Sequence, residues 1–154
     1  MSQSGTSGTR AAPRALFDVN VLIALLDASH VHHAPATAWL QANGAHGWAS
    51  CPLTQAGCIR VMSNAAYPQA LAAGQVAAQL ARAASHPQHA FWPDDLSLLE
   101  PGAMNWNSIL GSRQVTDAYL LALAVRRGGR LVTLDRGVAL PAVAGATPEH
   151  LVLL

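Results

Sequence analysis

Three acids, Asp18, Asp117 and Asp135, each stand where an apolar run meets a turn or a helix start. Asp18 follows Ala15-Leu16-Phe17, Asp135 follows Leu131-Val132-Thr133-Leu134, and Asp117 opens the helical text TDAYLLALAVRR. If both runs are strands of one open α/β sheet, ligands bind beyond the carboxyl ends of those strands. Two strand-end aspartates and one helix-start aspartate then face a common cleft. Carboxylates crowded together resist joint ionisation unless a cation neutralises them. A hard dication with oxygen ligands, Mg²⁺ or Mn²⁺, answers that need. The chemistry to expect is metal-assisted hydrolysis of a phosphodiester. Singly, each acid has an ordinary role as well: Asp117 as a helix cap, Asp18 and Asp135 as turn acids. Their shared kind of boundary is what argues for a site.

The elements that must position them follow from the pattern. Residues 1–13 are Ser, Gly, Thr and Ala with one Arg and read as a flexible tail; residues 14–154 form one domain. Ala15 to Phe17 reads as a short buried strand, and Val19 to Ala28 as a helix apolar on nearly every side. His32 to Gln41 is a second helix, stopped by Asn43-Gly44, and Gly47 to Cys51 a second strand. Pro52 suits a first helical turn, so PLTQAGCIRVM runs on as a helix to Ser63-Asn64. Pro68 to Ser85, with apolar Leu71, Val76, Leu80 and Ala84, predicts an amphipathic helix. The pieces His89 to Trp92 and Ser97 to Leu99 are ambiguous. Thr116 to Arg127 is a helix ended by Gly128-Gly129, Leu131 to Leu134 a strand, and His150 to Leu154 an edge strand. Strands alternating with helices imply a mostly parallel central sheet flanked by helices.

Composition removes several classes of function. The chain has 154 residues and a net charge of +1, and every one of its nine fixed cations is arginine. Without lysine there is no P-loop GK[ST] signature and no Schiff-base amine. Cys51 and Cys58 are too few for a disulfide framework and lack zinc spacing, which favours reduced thiols. No apolar run is long enough to span a membrane and no signal peptide is evident, so the expected compartment is the cytoplasm.

The blocks FDVNVLIALLD, HHAPATAWL, CPLTQAGCIRVM, RQVTDAYLLALA and GGRLVTLDRG occur in that order. Together they resemble a PIN-domain ribonuclease, and most of all the toxin component of VapBC-type toxin–antitoxin pairs. The resemblance covers Arg14 to Leu154. It implies a single PIN-like α/β domain that cuts RNA with Mg²⁺ or Mn²⁺ held by Asp18, Asp117 and Asp135. In such sites the metal binds a phosphate oxygen and lowers the pKa of a bound water, which a carboxylate can position or deprotonate. The resemblance also implies a cognate antitoxin that covers the acidic cleft, and a homodimer.

Around the acids, Asn20 and Thr133 are placed to hold ligands or waters. One departure matters. Where the family commonly has a glutamate, this chain has Gln55, a neutral amide and a weaker ligand for a hard cation. Gln55 is expected to face the site and to bond a metal water or a ribose. It also opens an alternative: a catalytically weakened module that binds RNA or antitoxin without cutting. Arg113, Gln114 and Arg136 are placed to touch substrate or partner, arginine suiting phosphate forks. His30, His32 and His33 lack the spacing that puts two metal ligands on one helix face. Arg60 is expected at the surface, Trp39, Trp48, Trp92 and Trp106 in packing or local anchoring, and Asp94-Asp95 in a solvated turn. A phosphohydrolase of the haloacid dehalogenase type fits poorly, because DVNVL replaces DxDx[TV] and the usual lysine is absent.

Overall fold

Apolar runs of three or four residues followed by helical text can bury both faces only as strands of a parallel sheet covered on each side. The computed structural model, which describes residues 13–154, has that architecture. The expected tail lies outside the described residues but for Pro13. In chain order the main elements are β1 (Ala15–Phe17), α1 (Val19–Leu26), α2 (His33–Asn43), β2 (Trp48–Ser50), α3 (Pro52–Met62) and α4 (Ala73–Ala84). Then follow β3 (His89–Phe91), α5 (Arg113–Arg126), β4 (Arg130–Thr133) and β5 (Leu151–Leu153).

The five strands pair in parallel in the order β3-β2-β1-β4-β5. The chain steps outward from β1 to β3, then returns to the far side of β1 with β4. Strand order therefore reverses between β1 and β4, and the crevice at such a reversal is where open α/β sheets bind ligands. Phe17 is in register with Val132, so the residues after these strands emerge side by side.

Alternation along the strands divides the core. Leu16, Ala49 and Leu131 pack with Leu120, Leu121 and Leu123 of α5 on one face. Ala15, Phe17, Trp48 and Val132 pack with Val21, Leu22, Cys58, Val76 and Leu80 of the other helices on the opposite face. Each helix has a local reason to start or stop. Pro52 occupies the first turn of α3, and Thr54 there accepts from the Cys51 backbone N–H at 3.0 Å. Helix α5 ends before Gly128, whose φ of +65° is open to glycine without strain.

Several expectations need correction. The helix expected over Pro68 to Ser85 begins only at Ala73, because Pro68 to Ala72 turn, with Gln69 at φ +57°. His89 to Phe91 is a strand, whereas Ser97 to Leu99 is irregular. Helix α5 starts at Arg113, three residues before the expected Thr116. Asp94 and Asp95 are exposed, as expected, but each has a partner. Asp94 Oδ2 accepts from the Leu53 N–H at 3.0 Å, capping α3, and Asp95 pairs with Arg127 at 3.0 Å. Phe17 stacks on Trp48 and meets Trp39 edge-on, but Trp106 is 49% exposed and does not serve the core. Among the described residues, no helix is long and apolar enough to cross a membrane.

Candidate active site

The carboxyl ends of β1 and β4 deliver Asp18 and Asp135 as neighbours, joined by a single hydroxyl. Thr133 Oγ1 donates to Asp18 Oδ2 at 2.7 Å and accepts the Asp135 N–H at 3.0 Å. Asp18 is only 6% exposed; its other oxygen accepts the Val19 N–H at 2.7 Å, where it caps α1. Asp135 Oδ1 accepts the Gly137 N–H at 2.7 Å. Asn20 Oδ1 accepts the Leu134 N–H at 3.2 Å, pinning α1 to the end of β4. Thr133 thus orients Asp18 and the Asp135 backbone, and Asn20 fixes the end of β4.

Asp117 reaches the same place from α5. It is the fifth residue of that helix and is buried, so it is not the helix-start residue the sequence pattern suggested, and capping does not explain it. Burial and the neighbouring Asp135 and Asp18 carboxylates push its pKa up to about 7. For Asp18, burial also raises the pKa; the Thr133 and Val19 hydrogen bonds oppose this, and the charge of Asp135 adds to it. The three acids therefore share one electrostatic site.

Gln55 stands at the same carboxyl edge of the sheet, one strand over from Asp18. Its Nε2 donates to Ser50 Oγ at 2.9 Å, and Ser50 Oγ lies 2.8 Å from His89 Nε2. The amide is half-buried and tied to the end of β2, with no hydrogen bond to the acids among the described residues. Ser50 and His89, its partners, were not singled out from the sequence; a lone serine at a strand end gives no signal there.

Arg113 is the first residue of α5 and exposed, four positions before Asp117 and so on the same helix face. Arg136 is exposed beside Asp135. Neither has a salt bridge among the described residues. Gln114 has both ends of its amide engaged, accepting from the Leu110 N–H and donating to the Gly137 carbonyl.

The donor set suits a hard cation: carboxylate oxygens, those of Asp18 and Asp117 buried, with mutual repulsion that a dication would relieve. Among the described residues, no three His, Cys, Asp or Glu side chains are gathered into a closed metal-binding group.

A PIN-domain family model matches residues 15–145. The chain is 48% identical over 141 residues to Ribonuclease VapC44 of Mycobacterium tuberculosis (strain ATCC 25618 / H37Rv), spanning 92% of this chain and 99% of that one. It is 47% identical over 132 residues to Ribonuclease VapC39 of the same strain, spanning 85% and 95%. With Ribonuclease VapC38 it shares 47% identity over 125 residues, spanning 80% and 86%.

Proposed function

This chain belongs to the PIN-domain family, and from that premise we propose that it is a divalent-metal-dependent endoribonuclease, the toxin of a type II toxin–antitoxin pair. The observation that carries the reading is the meeting of Asp18, Asp117 and Asp135 at the strand-order reversal, in a chain nearly half identical to Ribonuclease VapC44 over almost its whole length. The alternative of a binding module that no longer cuts is not favoured, since the relatives over this length are ribonucleases by name.

Asp18, Asp117 and Asp135 would hold Mg²⁺ or Mn²⁺. When bound, the cation polarises a phosphate oxygen and makes its water a better nucleophile. The chain's own groups do the rest. Thr133 keeps one Asp18 oxygen turned inward and anchors the backbone of Asp135. Asp117, whose pKa burial and the neighbouring carboxylates raise to about 7 in the metal-free chain, is the acid that must give up a proton when a cation binds. Arg113 and Arg136, exposed beside Asp117 and Asp135, supply guanidinium groups for RNA phosphates. The cognate antitoxin covers this cleft, a basic side chain taking the place of the cation; the toxin works as a homodimer in the cytoplasm.

The test is cleavage of total cellular RNA by the purified, antitoxin-free chain with Mg²⁺ or Mn²⁺. Discrete products that vanish with chelator and in Asp117→Asn are the expected result. Folded protein that leaves RNA intact with both metals would overturn the reading.

A further inference from the structure

Gln114 is the second residue of α5 and lies three positions before Asp117, on the same helix face. Its Oε1 accepts the Leu110 N–H at 2.7 Å, and its Nε2 donates to the Gly137 carbonyl at 2.9 Å. Gly137 in turn donates its N–H to Asp135 Oδ1 at 2.7 Å. One amide thus joins the loop before α5, the helix that carries Asp117 and the turn that carries Asp135.

We propose that Gln114 is a positioning residue that fixes the Asp135 turn against α5 and so sets the separation of the Asp117 and Asp135 carboxylates. The proposal rests on the active-site reading given above. Two acids on different elements repel when both ionise, and the force acts to part helix from turn. A neutral crosslink resists that motion without adding charge of either sign. Glutamine suits it by chemistry, because one end must accept a backbone N–H and the other must donate to a backbone carbonyl. Glutamate keeps only the first bond, and asparagine is a methylene too short. The turn has little slack: a Cβ on Gly137 would sit 3.1 Å from Asp135 Oδ1. Glycine at that position leaves room for the carboxylate, and Gln114 removes the freedom that glycine brings.

The experiment compares the purified full chain with Gln114→Met, which keeps the length but neither bond, and with Gln114→Glu, which keeps only the Leu110 bond. Asp95→Asn, which breaks the Arg127 pair away from the acids, is the control for a lost surface contact. Three quantities are read: amide exchange of Gly137, affinity for Mn²⁺ alone by calorimetry, and melting temperature. Expected is Gly137 exchange and Mn²⁺ dissociation each raised by about tenfold in Gln114→Glu, the net worth of one hydrogen bond, and by at least as much in Gln114→Met, which loses both, with neither changed in the control. A Gly137 amide as protected as in the parent, with Mn²⁺ affinity within about twofold, overturns the proposal even if melting falls, since a merely structural contact moves melting alone. A parent chain that binds no Mn²⁺ refutes the metal reading of the site, while Gly137 exchange still decides the crosslink.

Discussion

Thr133 and Asp18, 115 residues apart in the chain, share a 2.7 Å hydrogen bond inside the protein, and the same hydroxyl receives the backbone N–H of Asp135. Thr133 has no exposed surface, so no water replaces either bond if the hydroxyl is lost.

Thr133→Val keeps the shape of the side chain and strands both partners. It is expected to cost about 1–3 kcal/mol in urea denaturation, the range for a buried group left without its partner. Because both acids lose a fixed reference, RNA cleavage should slow by roughly ten- to a hundredfold. Thr133→Ser restores most of both quantities. A valine variant as active as the parent would remove Thr133 from the account.

The pH dependence of stability has a definite sign. Asp117 in the folded chain holds its proton up to about 7, against an ordinary value of 3.8. Between those values the folded state binds a proton that the unfolded state has released, so the Asp117 contribution to stability is full below the lower value and is lost as pH rises toward the upper one. Asp18 is shifted in the same direction. Unfolding followed in chelator across this window should show the decline, and Asp117→Asn should flatten it while abolishing cleavage. Stability that climbs with pH over the same range would contradict the crowded-carboxylate site.

For Gln55 the geometry gives a modest expectation. Its amide is committed to Ser50, so Gln55→Ala should change cleavage by less than about threefold, the scale of a substitution away from any critical contact. Gln55→Glu is the more revealing change. Glutamate cannot donate to Ser50, so the serine hydroxyl turns toward it and a negative charge arrives near His89. The His89 pKa, held low by burial and by Arg14, should rise when read by NMR titration. An unchanged His89 titration would mean that the three side chains are not linked in solution.

Arg113→Ala and Arg136→Ala are expected to raise KM for RNA more than they lower kcat. Each should also reduce the slope of log affinity against log salt by about 1, as one lost phosphate contact predicts. If kcat alone fell, the arginine in question would belong to the chemistry and not to binding.

Much of this was legible in the sequence because it was written in local signals. Strands β1 and β4 are short apolar runs ending one or two residues before an acid, and Pro52 marks the start of α3. What could not be read depends on contacts across the sheet. Helix α5 starts at Arg113 because Gln114 is engaged by Leu110 and Gly137, and that moves Asp117 from a helix start to its second turn. Asp94 is exposed as expected, but its partner at the N-terminus of α3 is 41 residues away. For Gln55 the neighbours in sequence indicated a direction but not the partner, which is Ser50 at the end of β2. Side-chain direction at a helix start is set by such partners, and the linear pattern does not carry them.

The place of β1 at the centre of the sheet has a consequence in time. Its β2 neighbour is made soon after it, but β4 and the helix bearing Asp117 arrive near the end of the chain. At about 5–20 residues per second, a ribosome takes on the order of ten seconds to travel from Asp18 to Asp135. For most of that interval, until Asp117 is made, the growing chain holds one acid of the three and no strand to bring the others alongside. A copy interrupted before α5 and β4 therefore lacks the assembled carboxylate site, which can form only after Asp117, β4 and Asp135 have all been made.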